Sequence, residues 1–415
     1  MTSITSCVRP LYATSLDTGH SRRGKIMRCR KIHYSLPAFA IVLSTAVIVD
    51  ARTAVQASSC ETLEMAKCVV NLTTGIDMTY LEVGPKDGKP VVLIHGLTDS
   101  IRSWSLSMAS LHQQDPALRI FAIDLRGHGG SSMPDAKQCA PAPEKCFTLA
   151  QHAADIVAFM DSQGVKTADL VGHSLGSFIV QEVALEHPDR VSNAVLIATA
   201  PSSVGNLALT DYVLKEPVEG SWKKKLEAEG RKYPDDFYAL APTDADANVA
   251  DWLAKYWVVD PAADPAFLKP YIPETAKVKL GTWIGATKAL LAQDNTERLK
   301  QLKVPTLIMW ATQDSIFLKS DQDAIIAALK VAASNGNSKI YWKEYGTVPL
   351  PASGAQETDV GHNIQWAAYE MVASDIDAFI KTGQPTVDLV RSDNAQNVQK
   401  LVVEPGKASV IHVGH

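Results

Sequence analysis

At 415 residues, with 46% hydrophobic and 20% charged side chains, the chain can bury a large core and is long enough for two compact units. That composition excludes wholesale disorder and a multi-span membrane protein. The formal net charge is mildly acidic, −5, and neither an internal repeat nor a low-complexity tract is present.

The N-terminus reads as an export signal. Arg22, Arg23, Lys25, Arg28, Arg30 and Lys31 precede an apolar run from Leu36 to Val49. A run of about 14 residues is short for a bilayer span and right for the core of a signal peptide. Val55-Gln56-Ala57 offers small residues at the two positions a signal peptidase reads, and Val49-Asp50-Ala51 is a second choice. Residues 1–57 are therefore expected to be a signal peptide with an upstream segment, Met27 beginning a leader of ordinary length; an uncleaved anchor is the alternative. Removing them leaves 32 basic against 43 acidic side chains, a net charge near −11. The mature chain is expected to be secreted or periplasmic, without stable membrane insertion and without a nucleic-acid partner.

Cys60, Cys68, Cys139 and Cys146 stay in the mature part, and four cysteines in an exported chain suggest two disulfides. Spacing favours the local pairs Cys60–Cys68 and Cys139–Cys146, the second closing the Pro-rich loop Ala140-Pro141-Ala142-Pro143. A lipoprotein acylated at Cys60 is the competing idea; it would leave three cysteines that cannot all pair.

Val69–Leu72 and Met78–Val83 read as a hairpin around Thr74-Gly75. Near-continuous apolar runs follow at Pro90–Gly96, Leu118–Leu125, Leu170-Val171, Val195–Ala198 and Pro305–Trp310, the pattern of strands buried on both faces. Helical patterns lie between them at Trp104–His112, Leu149–Ser162 and Ser177–His187. The alternation predicts an α/β fold, a mostly parallel, doubly wound sheet with right-handed crossovers, its first part spanning residues 58–200. Over residues 201–303 the alternation stops. This insert is rich in Trp and Tyr and reads as helical, with Val249, Trp252, Leu253, Tyr256 and Trp257 on one face. Sheet-type alternation resumes over 304–381, and a tail, 382–415, carries an apparent hairpin around Pro405-Gly406.

The chemistry centres on Gly172-His173-Ser174-Leu175-Gly176, lying between a strand and a helix that Pro188 ends. In such a nucleophile elbow the serine sits on a sharp turn between small residues. The Leu175 backbone N–H then points at an oxygen that becomes negative beside Ser174, and the Leu97 N–H, in the turn after an earlier strand, is the second donor. A serine nucleophile needs a base and an orienter delivered to the same sheet edge. Asp314 follows the strand ending near Trp310, and His362 follows the strand Lys339–Tyr345. The order Ser174, Asp314, His362 is the one this architecture uses. His95 is expected to hold its loop, and Asp124-Leu125-Arg126-Gly127-His128-Gly129 to brace one.

With these motifs in place the chain resembles an α/β-hydrolase of the lid-bearing esterase, lipase and epoxide-hydrolase-like group. The resemblance runs from His95-Gly96 through Asp124–Gly129, Gly172–Gly176 and His187-Pro188 to Asp314 and His362, roughly residues 68–381. It implies a serine nucleophile, a backbone oxyanion hole at Leu97 and Leu175, no metal and no organic cofactor. The chain departs from the group in carrying Ala311 and Ser177 where glycine is frequent, and in the 48 residues separating Asp314 from His362.

Relatives that open epoxides or remove halides use an aspartate nucleophile, and Ser174 argues against both. Acyl transfer to water is left: a carboxylic ester or lactone with an apolar group, the alternatives being an amide, a carbon–carbon bond beside a carbonyl, or lyase or transferase chemistry by the same triad. A non-catalytic binding protein on the same scaffold is the reading from another class. The insert is expected to fold over Ser174 as a lid, with Trp252 and Trp257 touching the substrate.

Overall fold

The computed structural model describes residues 63, 67–139, 141–257, 260, 263–337, 339–346 and 360–386, and the backbone of 347–349, 357–359, 400–401 and 409–413. The expected leader, residues 1–57, and Cys60 lie outside the described residues.

The apolar runs form one sheet because their alternate side chains have two layers to bury against. In β3 (Lys89–Ile94), Val91 and Leu93 pack into one core and Val92 and Ile94 into the other. β4 (Leu118–Ile123) divides likewise, Ile120 and Ala122 against Phe121 and Ile123. Helix α1 (Ser105–Gln114) covers the first face with Met108 and Leu111. Helices α2 (Leu149–Ser162) and α3 (Leu175–Glu186) cover the second with Phe159, Phe178 and Ile179. Each large apolar side chain buried this way contributes about 1.5–3 kcal/mol, so strands apolar on both faces lie in the middle of the stack. A reciprocal cap between Thr148 and Gln151 fixes the start of α2.

Chain order and sheet order differ as the βαβ pattern requires. The hairpin β1 (Cys68–Asn71) and β2 (Asp77–Val83) is antiparallel, and β2 is antiparallel to β4. From β4 onward β3, β5 (Ala168–His173), β6 (Val191–Ile197), β7 (Thr306–Ala311) and β8 (Ile340–Tyr345) run parallel. Ile94 pairs with Gly172, His173 with Ile197, Ile197 with Met309 and Ala311 with Tyr345, so these strands end along one edge. Residues after β3, β5, β7 and β8 therefore meet there. Helix α8 (Tyr369–Thr382) lies with α1 on the first face, and α7 (Lys319–Ser334) on the second. The buried Lys343 Nζ donates to Asp375 Oδ1 at 2.6 Å and ties β8 to α8.

Between β6 and β7 the chain is helical, as its lost alternation predicts. The insert holds α4 (Ala208–Trp222, wound as a π-helix and broken at Glu216 before Pro217), a short helix Val249–Trp252 that continues as a wider turn over Leu253–Trp257, α5 (Pro265–Thr275) and α6 (Leu280–Leu291). Val249 and Leu253 are buried in the second core, while Tyr256 on the same predicted face is 56% exposed. Thr282 on α6 donates to the Gly127 carbonyl at 3.0 Å, anchoring the insert on the loop after β4.

The Cys139–Cys146 disulfide is present. Cys68 is disulfide-bonded too, its partner lying outside the described residues. Part of the extra length between Asp314 and His362 folds as the hairpin β9 (Thr347–Pro349) and β10 (Glu357–Asp359). The expected tail hairpin is β11 (Lys400–Leu401) with β12 (Ser409–Val413), and β12 continues the parallel sheet beside β8, a position the sequence does not reveal. Among the described residues no helix is long and apolar enough to cross a membrane.

Candidate active site

Only Ser174 separates the end of β5 from the start of α3, and it takes φ +51°, ψ −120°. A non-glycine residue there stores about 1–3 kcal/mol, which the surroundings must oppose. They do so through backbone bonds. The Ser174 N–H donates to the Ile197 carbonyl at 2.9 Å, and the Ser174 carbonyl accepts from the Ser177 N–H at 2.8 Å and the Ser177 hydroxyl at 2.6 Å. The reversal packs helix against strand so closely that a Cβ at Gly172 would lie 2.2 Å from the Gly176 carbonyl oxygen. One at Gly176 would lie 2.2 Å from that of Ile94, so both flanking positions require glycine. Leu175 occupies the first turn of α3, where an N–H has no intrahelical acceptor and the helix dipole is positive.

Asp314, past the end of β7, is buried, and its Oδ1 accepts from the N–H groups of Ile316 at 2.9 Å and Phe317 at 3.1 Å. His362 Nδ1 lies 3.0 Å from Asp314 Oδ1 and 3.1 Å from Oδ2. A carboxylate oxygen only accepts, so in this pair Nδ1 is the donor, which leaves Nε2 as the ring's acceptor nitrogen. Ser174, 7% exposed, opens with His362 into one cavity of about 830 Å³, which Leu97, Trp252 and Trp257 also line. Ser174, His362, Leu97, Trp252 and Trp257 thus line one cavity, Asp314 bonds the ring of His362, and the Leu175 side chain is buried.

The insert supplies one wall of this cavity. Trp252 packs on Trp222 at 5.6 Å between ring centroids, Trp257 on Trp283 at 4.7 Å, and Trp222 on Trp283 at 5.3 Å. An indole cluster of this kind presents a large, stiff apolar surface.

Three charged or polar residues at the site carry no signal in a local pattern. Asp99, two residues beyond Leu97, lines the cavity, and burial pushes its carboxyl up to about 6. The Ser103 hydroxyl donates to Asp99 Oδ2 at 3.0 Å, and Tyr271 of α5 donates its phenol to Oδ1. His173, the variable residue inside the elbow motif, donates from Nε2 to the His362 carbonyl at 2.9 Å, and burial holds its ring neutral. Asp260, from the insert, touches the backbone on either side of His362. Residues expected to be structural behave so. His95 Nδ1 donates to the Gly96 carbonyl at 2.8 Å while Nε2 accepts from the Leu125 N–H at 3.0 Å, and burial lowers the ring to about 4. Arg126 grips Asp155 with two bonds of 2.6 and 2.7 Å.

A family model described as the alpha/beta hydrolase fold matches residues 89–338, more than half of the chain. The chain belongs to the α/β-hydrolase family. Among α/β-hydrolases of known sequence it is 28% identical over 171 residues to epoxide hydrolase B of Mycobacterium tuberculosis, a match covering 40% of this chain and 46% of that enzyme. The chain thus spans about half the length of that relative. It is 25% identical over 319 residues to a non-heme chloroperoxidase of Streptomyces lividans, covering 75% of this chain and 99% of that protein. Among solved α/β-hydrolase structures, an esterase from Exiguobacterium antarcticum superposes with a TM-score of 0.55 at 16% identity, over 76% of this chain and all of that one. The enol-lactonase of Burkholderia xenovorans LB400 gives 0.54 at 18% identity over 76% of this chain. Likeness at such identities concerns the fold alone.

Proposed function

We propose that this α/β-hydrolase is an exported serine hydrolase that cleaves a carboxylic ester or lactone through Ser174, His362 and Asp314. One observation carries the reading: a serine held at positive φ at the head of a helix shares a cavity with a histidine whose Nδ1 is bonded to a buried aspartate. In that reading His362 Nε2 takes the Ser174 proton as Oγ attacks the substrate carbonyl, and Asp314 steadies the imidazolium. The oxyanion forms opposite the N–H groups of Leu97 and Leu175, a donor of this kind being worth about 2.7–4 kcal/mol. His362 returns the proton to the leaving oxygen, and water, activated the same way, releases the acid from the acyl-enzyme.

Epoxide hydrolase relatives bring the competing chemistry, and the serine at the elbow argues against it. The serine nucleophile supports an acyl substrate, and the indole-lined wall supports an apolar acyl group. The helical insert acts as the lid, residues 201–303. The Cys139–Cys146 bond supports an oxidising compartment, as export requires. Hydrolysis of p-nitrophenyl esters by the wild type and Ser174→Ala tests the assignment. The variant is expected to lose turnover while keeping its melting temperature, and near wild-type hydrolysis by it would refute the role of the serine.

A further inference from the structure

A histidine that acts as a base must be held on a fixed backbone, and the loop carrying His362 follows a short hairpin rather than a strand of the main sheet. What holds it comes from two distant parts of the chain. His173 Nε2 of the elbow donates to the His362 carbonyl at 2.9 Å. One oxygen of Asp260, Oδ2, accepts from the N–H of Gly361 at 3.3 Å and from the N–H of Asn363 at 3.1 Å, the residues immediately before and after His362.

Asp260 is buried and belongs to the insert, between Trp257, which lines the cavity, and α5, whose Tyr271 also lines it. The same stretch that walls the pocket therefore grips the loop presenting the base. We infer that Asp260 is a positioning residue for His362: its carboxylate fixes the two peptide N–H groups flanking the histidine, so the seating of the helical insert sets the orientation of the imidazole. This rests on the reading of His362 as the general base. A carboxylate bridging two N–H groups fixes both the height and the tilt of the peptide between them. Without it the loop must find other acceptors and shift. Displacing a reacting group by about 1 Å costs on the order of a hundredfold in rate.

The test uses the mature enzyme and p-nitrophenyl acetate, whose acyl group is too short to depend on the indole wall. Asp260→Ala is expected to lower kcat about ten- to a hundredfold with KM within about twofold. Asp260→Asn should restore most of the rate, because its amide oxygen can accept both N–H groups. A side chain that merely stabilised the insert would move the melting temperature and leave kcat of the folded enzyme unchanged. Should Asp260→Ala not fold, Asp260→Ser, too short to reach both N–H groups, is expected to show the same loss confined to kcat. Wild-type kcat in the folded Ala or Ser variant, a loss carried by KM alone, or an Asn variant no better than Ala would overturn the inference. Ser174→Ala measured alongside separates the two readings. Hydrolysis surviving there overturns the serine mechanism and the tether with it, whereas an inactive Ser174→Ala beside a fully active Asp260→Ala overturns the tether alone.

Discussion

Replacing Asp99 by Asn probes the electrostatics of the site with a worked magnitude. Asp99 is 4% exposed, and burial raises its carboxyl from 3.8 to about 6 even though Tyr271 and Ser103 donate to it. In the unfolded chain the group loses its proton near its ordinary value, about 3.9. Between about pH 4 and 6 the folded state holds a proton that the unfolded state has released, so stability falls as pH rises through that window. Below it Asp99 contributes no such penalty, and above it the penalty is complete. A rise from 3.8 to about 6 corresponds to about 3 kcal/mol, with a side chain too buried for solvent screening to reduce it much. Asn keeps the shape, accepts from one hydroxyl through its amide oxygen, donates its NH2 to the oxygen of the other, and does not ionise. Urea unfolding of both proteins at pH 4, 5, 6 and 7 gives the difference in unfolding free energy at each pH. That difference should move by about 3 kcal/mol in favour of Asn between pH 4 and 7, other carboxylates cancelling in the comparison. A difference that stays flat over this range, or moves the other way, would refute the account of Asp99 as a carboxyl held up by burial.

Trimming Trp252 or Trp257 to Ala removes part of the indole wall, and each substrate CH₂ that loses its contact forfeits about 0.8 kcal/mol, roughly fourfold in kcat/KM. The preference for longer acyl chains should therefore collapse while acetate esters are little affected; an unchanged chain-length profile at an unchanged melting temperature would show that these rings do not touch substrate. On the proposed export, the processed protein is expected to begin near Ser58 and to show no reactive thiol under denaturing, non-reducing conditions. Two or more thiols in the mature chain, or an N-terminus upstream of residue 36, would contradict the expected pairing and processing.

The parts of the site that lie in one short segment are legible in the sequence alone. Gly172–Gly176 reads as an elbow because the glycines, the serine and the strand-to-helix change sit within a few residues, and packing against Ile94 shows why no side chain fits at Gly176. Asp314 is legible because a parallel sheet delivers strand ends to one edge; His362 is legible as a residue after β8, but the hairpin β9–β10 that stands between β8 and His362 is not. Asp99, His173 and Asp260 were not, for a common physical reason. Their partners lie far along the chain, Tyr271 for Asp99, the His362 carbonyl for His173, and Gly361 and Asn363 for Asp260. Each is an ordinary loop or motif residue until the fold closes. The tail hairpin was legible as a hairpin, but nothing in its own residues points to β8 as its neighbour.

The central claim is that Ser174 is the nucleophile, and covalent trapping tests it most directly. Incubating the mature enzyme with a p-nitrophenyl alkylphosphonate should release about one p-nitrophenolate per chain as hydrolysis is lost, because the phosphonyl group stays on the attacking oxygen. Peptide mass mapping is expected to place the adduct on Ser174, with none formed in Ser174→Ala. An adduct on another residue that abolishes activity, or full ester hydrolysis by protein carrying the Ser174 adduct, would contradict the account.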